Sequence, residues 1–193
     1  MNAALASIAA PAMAALSLSV VALSAATPGA AGDLTAAWLR DGRLETRTAD
    51  GGVAPTTAPL GSVWKLFVYA YAVERGLETP PYRCGPAPTR EDAYCCEPGQ
   101  AIDRDRALAR SCGRFFEPHR LGIDAAAWRE FWAPRAAGDA AWLADLGQLR
   151  PGTYTSVNGL LRALAAVPPG ARAAAERALL PIVIDGYGRG GAA

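Results

Sequence analysis

Ser62 and Lys65 stand three residues apart in the segment Gly61-Ser62-Val63-Trp64-Lys65, and Lys65 is the single lysine among the 19 Lys and Arg residues of a 193-residue chain. A serine hydroxyl is a poor nucleophile until a neighbouring base takes its proton, and a lysine amine desolvated by apolar walls can be that base. A guanidinium cannot, because it keeps its proton near neutral pH. A chain that has otherwise exchanged lysine for arginine, and retains one lysine beside a serine, therefore points to a site that needs a base. Trp64, Leu66 and Phe67 supply apolar neighbours. On a helix, residues three apart share a face. A helix N-terminus also aims backbone N–H groups at developing negative charge. The competing account is a serine N-cap with a lysine in the first turn, which the helix dipole disfavours. Beyond residue 31 only three serines occur, Ser62, Ser111 and Ser156, so chance alone seldom sets one beside the lysine.

The elements that must position this pair are legible in outline. Residues 34–39 and 43–48 flank Asp41-Gly42, a strong hairpin signal. Residues 55–61 read as an extended approach to a helix that starts at Ser62. Trp64, Phe67, Val68, Tyr71 and Ala72 recur there at three and four, and Gly76 is the expected stop. Residues 78–100, rich in Pro, Gly and Cys, read as a stapled loop. A short helix over 102–110 has Asp103 and Asp105 near its positive end. Asp124 is expected to cap a helix carrying Trp128, Phe131 and Trp132, and Asp139 one carrying Trp142 and Leu143. Ser156 is expected to cap a helix over 157–167. Pro168-Pro169-Gly170 then separates it from a last helix near 171–180. The tryptophans read as core anchors.

Residues 1–31 carry no charged side chain, are most apolar over 12–26, and end in small residues. They read as a signal peptide, with an uncleaved membrane anchor as the alternative. The chain is then exported, to the periplasm or beyond. Four cysteines, Cys84, Cys95, Cys96 and Cys112, favour one or two disulfides in such a compartment. Adjacent Cys95 and Cys96 chelate poorly and His119 is the single histidine, so no metal site and no cofactor are expected. Spacing leaves the pairing open, with Cys84 closing a local loop to Cys95 or Cys96 as the simplest choice. A net charge of +1 without a basic run argues against nucleic acid as a partner.

Ser62-Val63-Trp64-Lys65, followed by Leu66-Phe67, resembles the first motif of penicillin-binding transpeptidases and class D β-lactamases. Ala107-Leu108-Ala109-Arg110-Ser111-Cys112-Gly113, followed by Phe115-Phe116, resembles their second, Ser-x-Asn, motif at a similar interval. The likeness runs from residue 34 onward. More narrowly, the chain resembles a family of predicted secreted proteins encoded beside bacterial α2-macroglobulin-like proteins. The resemblance implies an α+β fold, a helical lobe packed on an antiparallel sheet, with Ser62 at the junction. It also implies Ser62 as acylated nucleophile, Lys65 as general base and Ser111 as proton relay to the leaving amine. The substrates implied are peptidoglycan peptides or β-lactams. Gly113 stands where that family has a substrate-binding Asn. The third motif, Lys-Thr-Gly, is absent, and the strand that carries it is expected near or beyond Ala193. Residues 32–193 are therefore expected to form a partial domain: a fragment, a shortened product or half of a split protein.

Two other functions stay open. One is a non-catalytic module of the same fold that docks cell-wall peptides or a periplasmic protein. The other is a disulfide-stapled interaction domain whose motifs are coincidental. A Ser-His-Asp triad would have to use His119 and lacks a nucleophile elbow. Asp103 and Asp105 read as helix-start residues rather than an acid–base pair. The glycines of 186–191 lack the lysine and helix of a phosphate loop.

Overall fold

A computed structural model describes residues 19–21, 35–49, 54–86 and 95–185. The leader expected over 1–31, apart from Ser19–Val21, and the glycines of 186–191 lie outside the described residues. The chain divides into two compact units, 1–54 and 55–193.

The first unit is a three-stranded antiparallel sheet in the order β1-β2-β3, from Ser19–Val21, Thr35–Arg40 and Arg43–Thr48. The β2–β3 register pairs Arg40 with Arg43, so Asp41-Gly42 is the whole turn. Both turn residues have positive φ, 50° and 73°, as a two-residue hairpin of the primed type requires. Trp38 lies opposite Glu45, and its indole N–H donates to that carboxylate at 2.8 Å.

The second unit is built around one helix. After strand β4 (Thr57–Pro59), a single 3-10 turn at Gly61–Val63 leads into α1 (Trp64–Glu74). Helix α1 is buried nearly all round: Phe67, Val68, Tyr69, Ala70 and Ala72 are fully enclosed. Such a helix is a core element rather than an amphipathic surface one. Phe67 meets Trp132 and Trp142 edge-on at 5.9 and 5.7 Å, and Tyr71 meets Trp128 and Phe131 at 5.1 and 5.2 Å. Trp128 and Trp132 are fully buried, as core anchors should be. Helix α1 ends in a Schellman turn: Leu77 N–H donates to Ala72 C=O, Gly76 N–H to Val73 C=O, and Gly76 takes φ 59°.

The expected stapled loop contains a short antiparallel pair, β5 (Tyr82–Arg83) with β6 (Ala101–Ile102). Then come α2 (Arg104–Ala109), α3 (Ala125–Trp132), a 3-10 helix at Gly138–Ala144, and β7 (Tyr154–Ser156) paired with β4. Helices α4 (Val157–Ala165) and α5 (Pro169–Asp185) close the unit. Asp103 and Asp124 cap α2 and α3 through their carboxylates, and the Ser156 hydroxyl caps α4.

Two expectations need correction. Asp139 caps nothing. It lies inside a 3-10 helix that Gly138 enters at φ 60°, and its carboxylate accepts from the Asn158 amide. The proline pair does not hold α5 off until residue 171, because Pro169 is its first residue, where the missing N–H has no intrahelical partner to lose. The Glu74 carboxylate, at the end of α1, accepts from Ala171 N–H at 2.9 Å and so starts α5 from the far side of the sequence.

Helix α4 approaches the 3-10 helix so closely that a Cβ at Gly159 would lie 2.3 Å from the Asp139 carbonyl oxygen. Gly159→Ala is expected to force the backbones apart and destabilise the unit by about 3 kcal/mol. Thermal unfolding should show a midpoint lower by roughly 2–4 °C per kcal/mol.

Candidate functional site

Ser62 sits in the 3-10 turn ahead of α1 and does not cap it; Val63 is the cap residue, and no side chain serves the helix end. Its exposed hydroxyl instead faces Lys65, whose Nζ lies 3.1 Å from Ser62 Oγ. The same Nζ lies 2.8 Å from Ser111 Oγ, brought from 46 residues downstream. The amine thus bridges two hydroxyls. Lys65 is 8 % exposed, and among the described residues no carboxylate pairs with it. The Trp64 ring lies 5.8 Å away, close enough for a cation–π contact. Burial pushes the amine below its ordinary value of 10.5, because losing water penalises the ammonium.

Ser111 is held in an unusual way. Helix α2 ends in the same Schellman turn as α1: Cys112 N–H donates to Ala107 C=O at 2.8 Å, and Ser111 N–H to Leu108 C=O at 3.0 Å. At the left-handed position, where α1 has Gly76, α2 has Ser111 with φ 56°. An L-residue there costs about 1–2 kcal/mol, which is why glycine dominates the position. A residue kept in a costly conformation marks a place where its side chain serves something else. The other end of α2 is tied to α1 as well: Tyr69, one turn beyond Lys65, donates from its hydroxyl to Asp105 at 2.9 Å. Burial and the adjacent Asp105 carboxylate push the Tyr69 phenol up to about 12, so it stays a donor.

Ser62, Lys65, Ser111 and Gly113 line a cleft of about 650 Å³, together with Gly61, Trp64, Arg114, Glu117 and Pro151. A Cβ at Gly113 would meet Lys65 Cε at 3.6 Å and Trp64 Cζ2 at 3.9 Å, which is ordinary contact. The position therefore admits a side chain and lacks one. Arg114 and Glu117 form an ion pair at 3.0 Å, and sequence reasoning missed both. Their i, i+3 spacing was the available signal. Pro151 carried none; it reaches the cleft because its carbonyl accepts from Gly61 N–H at 3.0 Å. His119 lies on the exposed side of Glu117, 3.4 Å from it, and does not line the cleft; Asp103 and Asp105 serve α2.

All four cysteines are in disulfides, Cys84–Cys96 and Cys95–Cys112. Among the described residues no cluster of His, Cys, Asp or Glu is placed to hold a metal ion, and no helix is long and apolar enough to cross a membrane.

The model of the family described as "Predicted secreted protein (DUF2300)" matches residues 87–187. The chain is also similar to the "Uncharacterized protein YfaQ" of Escherichia coli (strain K12), at 46% identity over 130 residues. Those residues make up 67% of this chain and 23% of that relative, so the chain spans less than a quarter of the relative's length. No solved structure matches.

Proposed function

The chain belongs to this family of secreted proteins and is exported, and we propose that its cleft performs serine acyl transfer. Ser62 Oγ attacks an amide or lactam carbonyl, and its proton passes to the Lys65 amine. The new C–O bond forms as the C–N bond breaks. The leaving nitrogen takes a proton delivered through Ser111. Water or an amine then releases the acyl group from Ser62. Peptidoglycan peptides and β-lactams are the substrates proposed, on the resemblance of the two motifs to penicillin-binding transpeptidases and class D β-lactamases. The α+β lobe of that superfamily is proposed on the same ground.

One observation carries this function: a buried lysine amine with no carboxylate partner among the described residues, set between two serine hydroxyls at 3.1 and 2.8 Å in an open cleft. A hydroxyl–amine pair can exchange a proton only within such reach, and the amine must be deprotonated to accept it. A structural lysine would reach for a carboxylate or for water.

The second function, a non-catalytic module of the same site, is favoured by Gly113. Gly113 presents no side chain to the lysine, although one would fit. Labelled penicillin separates the two. It is expected to attach to the chain, with the adduct mapping to Ser62 by peptide mass and vanishing in Ser62→Ala. Absence of any adduct at millimolar reagent would leave binding as the function.

A further inference from the structure

We propose that the Cys95–Cys112 disulfide positions Ser111, so that the serine–lysine–serine cluster is assembled only in the oxidised chain. This rests on Ser62, Lys65 and Ser111 being the reacting groups.

Helix α2 has six residues, too few to fix its own end. Its last turn must nevertheless hold Ser111 at φ 56°, against a backbone preference that favours release. The restraint is the next residue. Cys112 is fully buried, closes the turn on Ala107, and is bonded to Cys95, which is also fully buried. Cys95 lies in a segment that backbone bonds hold apart from the second bridge: Cys84 N–H donates to Gln100 C=O at 2.9 Å and Gly99 N–H to Cys84 C=O at 3.0 Å. The two bridges differ in their relation to the site. Cys112 separates two cleft residues, Ser111 and Gly113, whereas neither Cys84 nor Cys96 lines the cleft or adjoins a lining residue. Opening Cys95–Cys112 frees the Ser111 backbone to relax out of the left-handed region, and the hydroxyl leaves the amine. A thiol-reducing compartment holds the chain in that state, and export ends it.

The test compares two double variants, Cys95→Ala/Cys112→Ala and Cys84→Ala/Cys96→Ala, each produced by export and measured well below its unfolding midpoint. Because Lys65 is the single lysine, isotope-labelled lysine gives one side-chain signal whose pH titration reports its surroundings without any activity. The first variant is expected to move the titration up towards that of free lysine and to slow labelling of Ser62 by penicillin about 10- to 100-fold, as a displacement near 1 Å does. The second is expected to keep the titration and to stay within about threefold in labelling. Equal effects in both variants, or an unchanged lysine signal in the first, overturn the proposal. If wild type takes no label but the lysine signal responds to the first variant alone, acyl transfer falls and the positioning stands. If the alanine pair does not fold, Cys95→Val/Cys112→Ala takes its place. If that also fails, wild type titrated with reductant is followed by the lysine signal and by mass mapping of alkylated cysteines. The signal is then expected to move with opening of Cys95–Cys112; movement with Cys84–Cys96 or only with global unfolding counts against the proposal.

Discussion

Lys65→Arg is expected to slow labelling of Ser62 by penicillin about 10²- to 10⁴-fold, the usual contribution of a positioned general base, while the chain still folds. Arginine keeps the positive charge and the donors but cannot give up a proton near neutral pH. Charge neutralisation and proton abstraction are thereby separated. The pH profile supplies the second arm. Wild-type labelling should rise with pH through the lysine's midpoint, which burial sets below 10.5, and level off above it. The arginine variant should show no such rise. The same midpoint has a stability consequence with a definite sign. Between the folded midpoint and 10.5 the unfolded chain binds the proton and the folded chain does not, so stability gains with rising pH across that window. Below the window the burial penalty on the ammonium is fully present. Lys65→Met removes the titrating group, and the difference in unfolding midpoint between it and wild type should narrow as pH rises. A wild-type rate flat in pH would remove the lysine as base.

Ser111→Gly and Ser111→Ala should behave alike in chemistry and differently in stability. Both delete the hydroxyl 2.8 Å from Lys65 Nζ, so both are expected to label about 10²-fold more slowly than wild type. Alanine at φ 56° keeps the backbone strain that serine bears, and glycine does not. The glycine variant should therefore exceed the alanine variant by about 1 kcal/mol, which is roughly 2–4 °C in the unfolding midpoint of a domain this size. Equal midpoints would mean that the left-handed turn is not maintained in solution. Equal labelling by wild type and both variants would make Ser111 a turn residue and nothing more.

Local chemistry was legible in the sequence wherever one residue type answers one geometric need. Asp41-Gly42 named its hairpin, Gly76 its helix end, and Asp124 and Ser156 their caps. The Ser62–Lys65 contact was legible for the same reason, since spacing of three inside one turn leaves little freedom. Closing of the loop from Cys84 to one of the adjacent cysteines was the simplest expectation, yet nothing local chose Cys96 over Cys95. Ser111 beside Lys65 came through resemblance and not through any periodicity, because 46 residues of intervening chain carry no distance information. Asp139 failed as a cap because capping depends on the backbone angle that precedes the helix, and Gly138 sets that angle where sequence shows only a polar residue. Pro169 misled because the residue that breaks a helix interior also suits a helix start. Pro151 joined the cleft by tertiary placement alone, whereas the spacing of Arg114 and Glu117 signalled their pairing but not the cleft.

The bond from Glu74 to Ala171 N–H spans 97 residues and joins the finish of the central helix to the start of the last. A Cβ at Gly170 would lie 2.9 Å from Glu74 Oε1, so a side chain there would have to displace that carboxylate. For an exported chain that crosses the membrane N-terminus first, the consequence is vectorial. The central helix emerges early with its anchoring oxygen unoccupied, and waits for nearly a hundred further residues before the closing segment can dock on it. Until that segment crosses the membrane, the face of the central helix that it packs against stays uncovered, although the aromatic partners of Phe67 and Tyr71 have already arrived.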